Sequence, residues 1–100
     1  MNDVKLMGRL TRDPEIKEGE TMVARYTLAV DRRGGGDADF INCVAFGKAA
    51  EFASNYLKKG TKILVDGRIQ TGSYTNRDGQ KVYTTDVVIN QHYFCEKAEA

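Results

Sequence analysis

This 100-residue chain has no tryptophan, one proline, one histidine and two cysteines. Each scarcity removes a class of protein. A lone His92 with Cys43 and Cys95 far apart in sequence fits no structural zinc spacing, so no metal and no other cofactor is expected. The start, "MNDVKLMGRL", has no signal-peptide layout and reads as cytoplasmic. In that compartment both thiols are expected to be reduced, a disulfide between them being the alternative. No apolar run approaches the ~20 residues of a membrane helix, so no membrane partner is expected. Net charge is also lacking: 15 basic residues face 14 acidic ones, for a balance of +1. Bulk charge therefore points to no polyanion, and only the distribution of charge can be informative. No nucleophile–base pair stands out. Glu51, Asp66 and Asp86 read as solvated surface carboxylates rather than an acid–base set, so the chain is not expected to be an enzyme.

What is present is alternation. At this length one hydrophobic core is feasible and two are not. "VKLMGRL" puts Val4, Leu6 and Leu10 on one face and Lys5, Met7 and Arg9 on the other. Asp13-Pro14 is a break. "TMVARYTLAVD" aligns Met22, Ala24, Tyr26, Leu28 and Val30, with Val23, Arg25 and Thr27 opposite. The glycines of "RRGGGDAD" make it a loop. After Gly47 the period lengthens: Ala49, Phe52, Ala53, Tyr56 and Leu57 mark the apolar face of a helix in "AAEFASNYLKKG", with Gly60 expected just past its end. "KILVDGRIQTGSY" and "KVYTTDVVIN" alternate again around the Asp78-Gly79 turn, which predicts a long hairpin. The fold class is therefore all-β. Five strands with one helix between the third and fourth is the layout of an OB-fold, a Greek-key barrel.

The third strand, "DFINCVAFGK", carries the functional clue. Ile41, Cys43 and Ala45 suit a tight barrel interior, which sends Phe40, Asn42, Val44 and Phe46 outward. Tyr74 shares its parity with Lys62, Arg68 and Gln70 rather than with Ile63, Val65 and Ile69. Three rings are thus expected on wet faces among cations. Bases stack on rings and phosphates pair with cations, so this pattern suits unpaired nucleic acid. Outward rings packed in a subunit interface are the competing reading, and an RNA-binding barrel is another.

The stretches "LMGRLTRDPE", "YTLAVDR", "DFINCVAFGKAAEFASNYLKKG" and "VDGRIQTGSYTNRDGQKVYTTDVV" resemble the bacterial single-stranded DNA-binding proteins, in order and spacing, over nearly the whole chain. The resemblance implies an OB-fold domain over residues 1–95 and a homotetramer built as a dimer of dimers. It also implies sequence-tolerant binding of single-stranded DNA in replication, repair and recombination, at the nucleoid. Phe40 and Tyr74 stand where the family often has stacking tryptophans, Phe46 at its stacking phenylalanine, and Lys48 and Lys59 at basic positions of its DNA surface. Arg68 joins them on the wet face. Arg32 and Arg33 stand in a shortened loop that lacks the family's aromatic, where guanidinium planes can replace a ring. Asn42 and Gly72 replace basic residues, which thins the phosphate track. The family's acidic tail, which recruits replication and repair proteins, has no counterpart after "CEKAEA". Residues 96–100 are expected to begin a linker or to be a tail remnant, in a shortened or a tailless member.

Overall fold

A computed structural model describes residues 1–95. The reading of residues 96–100 as a linker or tail remnant lies outside the described residues. The chain runs β1 (Val4–Leu10), β2 (Glu15–Lys17), β3 (Val23–Asp31), β4 (Ala38–Phe46), α1 (Lys48–Tyr56), β5 (Lys62–Thr75) and β6 (Lys81–Phe94). The five expected strands and the helix are all present. The addition is β2, three exposed residues after Pro14 that pair antiparallel with the β3 edge. Its shortness and its lack of a buried residue explain why alternation gave no sign of it.

The sheet order is β1-β5-β6-β4-β3-β2, and a further β1–β3 pairing closes the ring. This is the OB-fold barrel. All pairings are antiparallel except β4–β6, a parallel contact of three residue pairs, Cys43↔Val87, Val44↔Val88 and Ala45↔Ile89. The interior is largely built as the alternation demands, but Ile69, expected inward, is 46% exposed beyond the last buried residue of β5, and Ile41 is only half-buried. Ala24, Tyr26, Leu28, Cys43, Ala45, Ile63, Val65, Val87 and Ile89 are buried together. Helix α1 closes one end of the barrel with Ala50 and Ala53, followed by Leu57.

The helix differs from its sequence reading in two ways. It stops at Tyr56, where Leu57 turns extended while its amide still donates to the Ala53 carbonyl. Gly60, expected as the helix stop, instead belongs to the turn that returns to β1, donating its amide to the Leu10 carbonyl at 2.8 Å. The buried face is also rotated: Ala50 is buried and Tyr56 is exposed.

In the β5–β6 hairpin, geometry dictates glycine at two positions. At Gly67 the β5–β6 ladder slips by one residue, from Asp66↔Gln91 to Gly67↔Ile89. A Cβ there would lie 2.2 Å from the Val88 carbonyl oxygen, so only glycine fits the bulge. Gly79, at φ +80°, supplies the left-handed residue of the hairpin turn. The Asn76 side-chain oxygen accepts from the Asp78 and Gln80 amides in that turn.

Candidate nucleic-acid interface

Strand registers decide which side chains share a face. Arg25 lies opposite Val44, Val44 opposite Val88, and Val88 opposite Arg68. One row therefore crosses β3, β4, β6 and β5 on the outer side of the barrel, with two apolar residues flanked by two guanidinium groups. Val44 was expected outward and does point outward, yet it is only 5% exposed. It lies between Arg25 and Val88 in neighbouring strands, and long arginine stems can cover such apolar neighbours. The charged ends remain in solvent, and Arg68 donates to the Asn90 side-chain oxygen at 3.2 Å.

Phe40 and Phe46 extend from the same side of β4 as Val44 and are 67% and 46% exposed. Tyr74 shares the parity of Arg68 along β5, beyond the bulge, and is 57% exposed. The three expected rings thus stand outward on one continuous face: two on β4 and one on the arm of the hairpin. Asn42 lies between the two phenylalanines and accepts from the Thr27 hydroxyl at 3.4 Å. The face is not uniformly basic. A cleft on it brings Arg12 and Arg25 together with Glu15 and Asp86.

The expected cations are distributed unevenly. Lys48 is exposed at the start of α1, two residues after Phe46. Arg68 is on the face itself. Lys59 lies off the sheet, in the α1–β5 turn, where its backbone amide donates to the Asp13 carboxylate at 2.8 Å. Arg32 is held back: its guanidinium contacts the Asp39 carboxylate at 2.7 and 2.9 Å, and this hydrogen bond raises its pKa. The Arg32 guanidinium therefore stands at the β4 end of the loop with its charge engaged. Arg33 is exposed in the glycine loop. Arg25 was passed over in the sequence, although its place among Val23 and Thr27 on the outer parity of β3 is the signal that finds it.

Beneath the face, Tyr26 Oη and His92 Nε2 share a buried hydrogen bond of 2.7 Å. Burial pushes the His92 imidazole down to about 4, so it is neutral at physiological pH. Burial likewise pushes the Cys43 thiol up to about 12, with the Asp86 charge adding to it. Cys43 and Cys95 are both free thiols. Among the described residues, no group of three His, Cys, Asp or Glu side chains is placed to hold a metal ion. No described helix is long and apolar enough to cross a membrane.

The single-strand binding protein family model matches residues 1–95. The chain belongs to that family. Its curated relatives in the single-strand binding protein family include the single-stranded DNA-binding protein of Clostridium perfringens, 50% identical over 96% of this chain and 67% of the relative. That of Halalkalibacterium halodurans is 50% identical over 96% of this chain and 61% of the relative. Single-stranded DNA-binding protein 1 of Streptococcus pyogenes is 46% identical over 99% of this chain and 82% of the relative. The chain thus spans about three fifths of the length of several of the curated relatives it matches.

Proposed function

We propose that this chain binds single-stranded DNA without sequence preference, protecting it and keeping it unpaired during replication, repair and recombination in the bacterial cytoplasm, at the nucleoid. The observation that carries this reading is the outer face of β3, β4 and the β5–β6 hairpin. There Phe40, Phe46 and Tyr74 stand exposed beside Arg25, Arg68 and Lys48 in a member of the single-strand binding protein family. Rings accept any base by stacking, and cations accept any phosphate. Lys59 and Arg33 would extend the phosphate path, and Arg32 would join only by exchanging Asp39 for a phosphate. No bond is made or broken in this role, and the chain acts as a binding module rather than an enzyme.

The same reading includes self-association as a homotetramer, a dimer of dimers. β1 pairs with β3 only at Arg9 and Leu10, leaving the edge of its first half open. Met7, Leu64 and Tyr93 form a second outward row across β1, β5 and β6. An open barrel mouth of about 340 Å³ is lined by Val4, Leu6, Ile41, Ile69 and Val87, with Phe40, Asn42 and Thr85 at its DNA-facing side. A second copy of the chain is the occupant that would cover the open β1 edge and the outward row. Recruitment of replication and repair proteins would need an acidic tail beyond these residues.

Titration with oligo(dT), oligo(U) and duplex DNA, followed by tyrosine emission in this tryptophan-free chain, tests the function. The expected result is tight binding of oligo(dT), weaker binding of duplex, and affinity that falls as salt rises, by roughly 0.7 in log–log slope per neutralised phosphate. Preference for oligo(U) would favour an RNA role, and affinity for none of the three would remove the reading.

A further inference from the structure

A second group of rings lies off the sheet face, where α1 meets the end of β6. Phe52 packs 5.0 Å from Tyr56 and 5.4 Å from Phe94, and Tyr56 meets Phe94 edge-on at 6.4 Å. Phe52 is half-buried and stacks on His92 at 5.1 Å, which anchors the group. The other two rings are not core. Tyr56 is 60% and Phe94 53% exposed, because the helix seats Ala50 and Ala53 in the barrel and leaves Tyr56 off that face.

This group is continuous with the sheet face. Arg68, at the end of the arginine–valine row, holds Asn90. Asn90, Gln91, Lys48, Phe52 and His92 then line one hollow of about 280 Å³. Lys48 follows Phe46 and Gly47 directly, so the hollow opens where the ring-bearing edge of β4 ends. It offers an ammonium for a phosphate and two primary amides for base edges. Lys58 lies two residues past Tyr56, and Lys62 precedes Ile63, the strand partner of Phe94. Glu51 is the acidic residue of the helix. Lys48 thus shares the hollow with Phe52, and Lys58 and Lys62 stand close in the chain to Tyr56 and to the strand partner of Phe94, which suits a polyanion carrying bases.

We propose that Tyr56 and Phe94 form a second base-stacking platform, which receives the same DNA strand after it leaves the sheet face past Lys48 and Asn90. The proposal rests on the DNA-binding reading above and lengthens its path. Phe52 holds the two rings from beneath, so the platform is formed before DNA arrives.

The test uses the full chain and two lengths of oligo(dT). One of about 8 nucleotides fills the sheet face, and one of about 20 reaches the helix side. Tyr56→Ala, Phe94→Ala and the pair together are expected to bind the short strand like the parent. The long strand should bind at least about fivefold more weakly per ring removed. Tyr56→Phe keeps the π-face and should restore long-strand affinity while removing part of the tyrosine quenching. Tyr56→Leu and Phe94→Leu keep apolar packing on Phe52, and they replace the alanine variants if those melt early. Unchanged long-strand affinity in well-folded variants overturns the platform. So does an unchanged affinity with smaller sedimenting species, which would make the rings a subunit contact. If the parent binds neither strand, the DNA reading itself fails.

Discussion

Phe40, Phe46 and Tyr74 contribute little to the core, so their loss separates binding from stability. Each replaced by Ala should weaken single-strand binding by roughly 1–3 kcal/mol with little change in melting temperature. Ile63, fully buried, should do the opposite: Ile63→Ala should cost about 2–5 kcal/mol of stability. Ile41 is a poorer control than its parity suggests, because it is only half-buried at the barrel mouth. Paired melting and oligo(dT) titrations check all four proteins. Early melting of the ring variants with an unaffected Ile63→Ala would invert the faces. His92 gives a pH signature. An unfolded histidine takes its proton near 6.5, whereas the folded one waits until about 4. As pH falls between these values the unfolded state gains a proton that the native state refuses. Stability should therefore drop by about 3 kcal/mol, then level off for this group. The drop should shrink in His92→Gln, as read from urea midpoints across that range. Parity exposed the outward rings because alternation is a local property. It did not reveal the burial of Val44 or the engagement of Arg32, since both depend on residues brought in from other strands or across the glycine loop.

The β5–β6 hairpin sets Tyr74 relative to the barrel, and the bulge at Gly67 sets the hairpin. Gly67→Ala would drive a methyl into the Val88 carbonyl, a backbone atom that cannot step aside cheaply. The expected outcome is a loss of about 1–3 kcal/mol of stability together with weaker DNA binding, since Arg68 and Val88 are the residues displaced. A variant with unchanged melting and binding would mean that the ladder relaxes around the added carbon. The elements themselves were largely readable. Asp78-Gly79 announced the turn, and the change of period after Gly47 announced α1. The bulge was not readable: Gly67 sits within "VDGRIQ" with the apolar spacing of β5 unbroken on both sides. The slip is visible only on β6, where Ile89 and His92 both face inward although three residues apart. The end of the helix was misplaced for a related reason. Leu57 continues the helical apolar spacing, but the core takes it in extended conformation.

For the proposed assembly, Met7, Leu64 and Tyr93 predict the outcome of a charge insertion. Met7→Lys should lower the sedimenting mass from that of the proposed tetramer toward a smaller species at micromolar concentration while each barrel stays folded. A parent chain that sediments as a stable 11.1 kDa monomer would remove the self-association reading. Barrel closure follows from the strand order that the sequence supplied, whereas the narrowness of the β4–β6 contact does not. That contact, three residue pairs joining segments almost half the chain apart, has a kinetic consequence. The β3–β4 and β5–β6 antiparallel pairs can each form from neighbouring segments, but the parallel seam must wait for a long loop to close. It should seal late in folding and be among the first places to part in the native state. Amide hydrogens of residues 43–45 and 87–89 should then exchange sooner than those inside the β3–β4 ladder. The seam also runs beneath the arginine–valine row, so a DNA strand lying across Arg25 and Arg68 bridges both of its sides. On the proposed path such a strand would act as a clasp. Exchange at the seam should slow on adding oligo(dT), and equal rates with and without DNA would place the strand elsewhere.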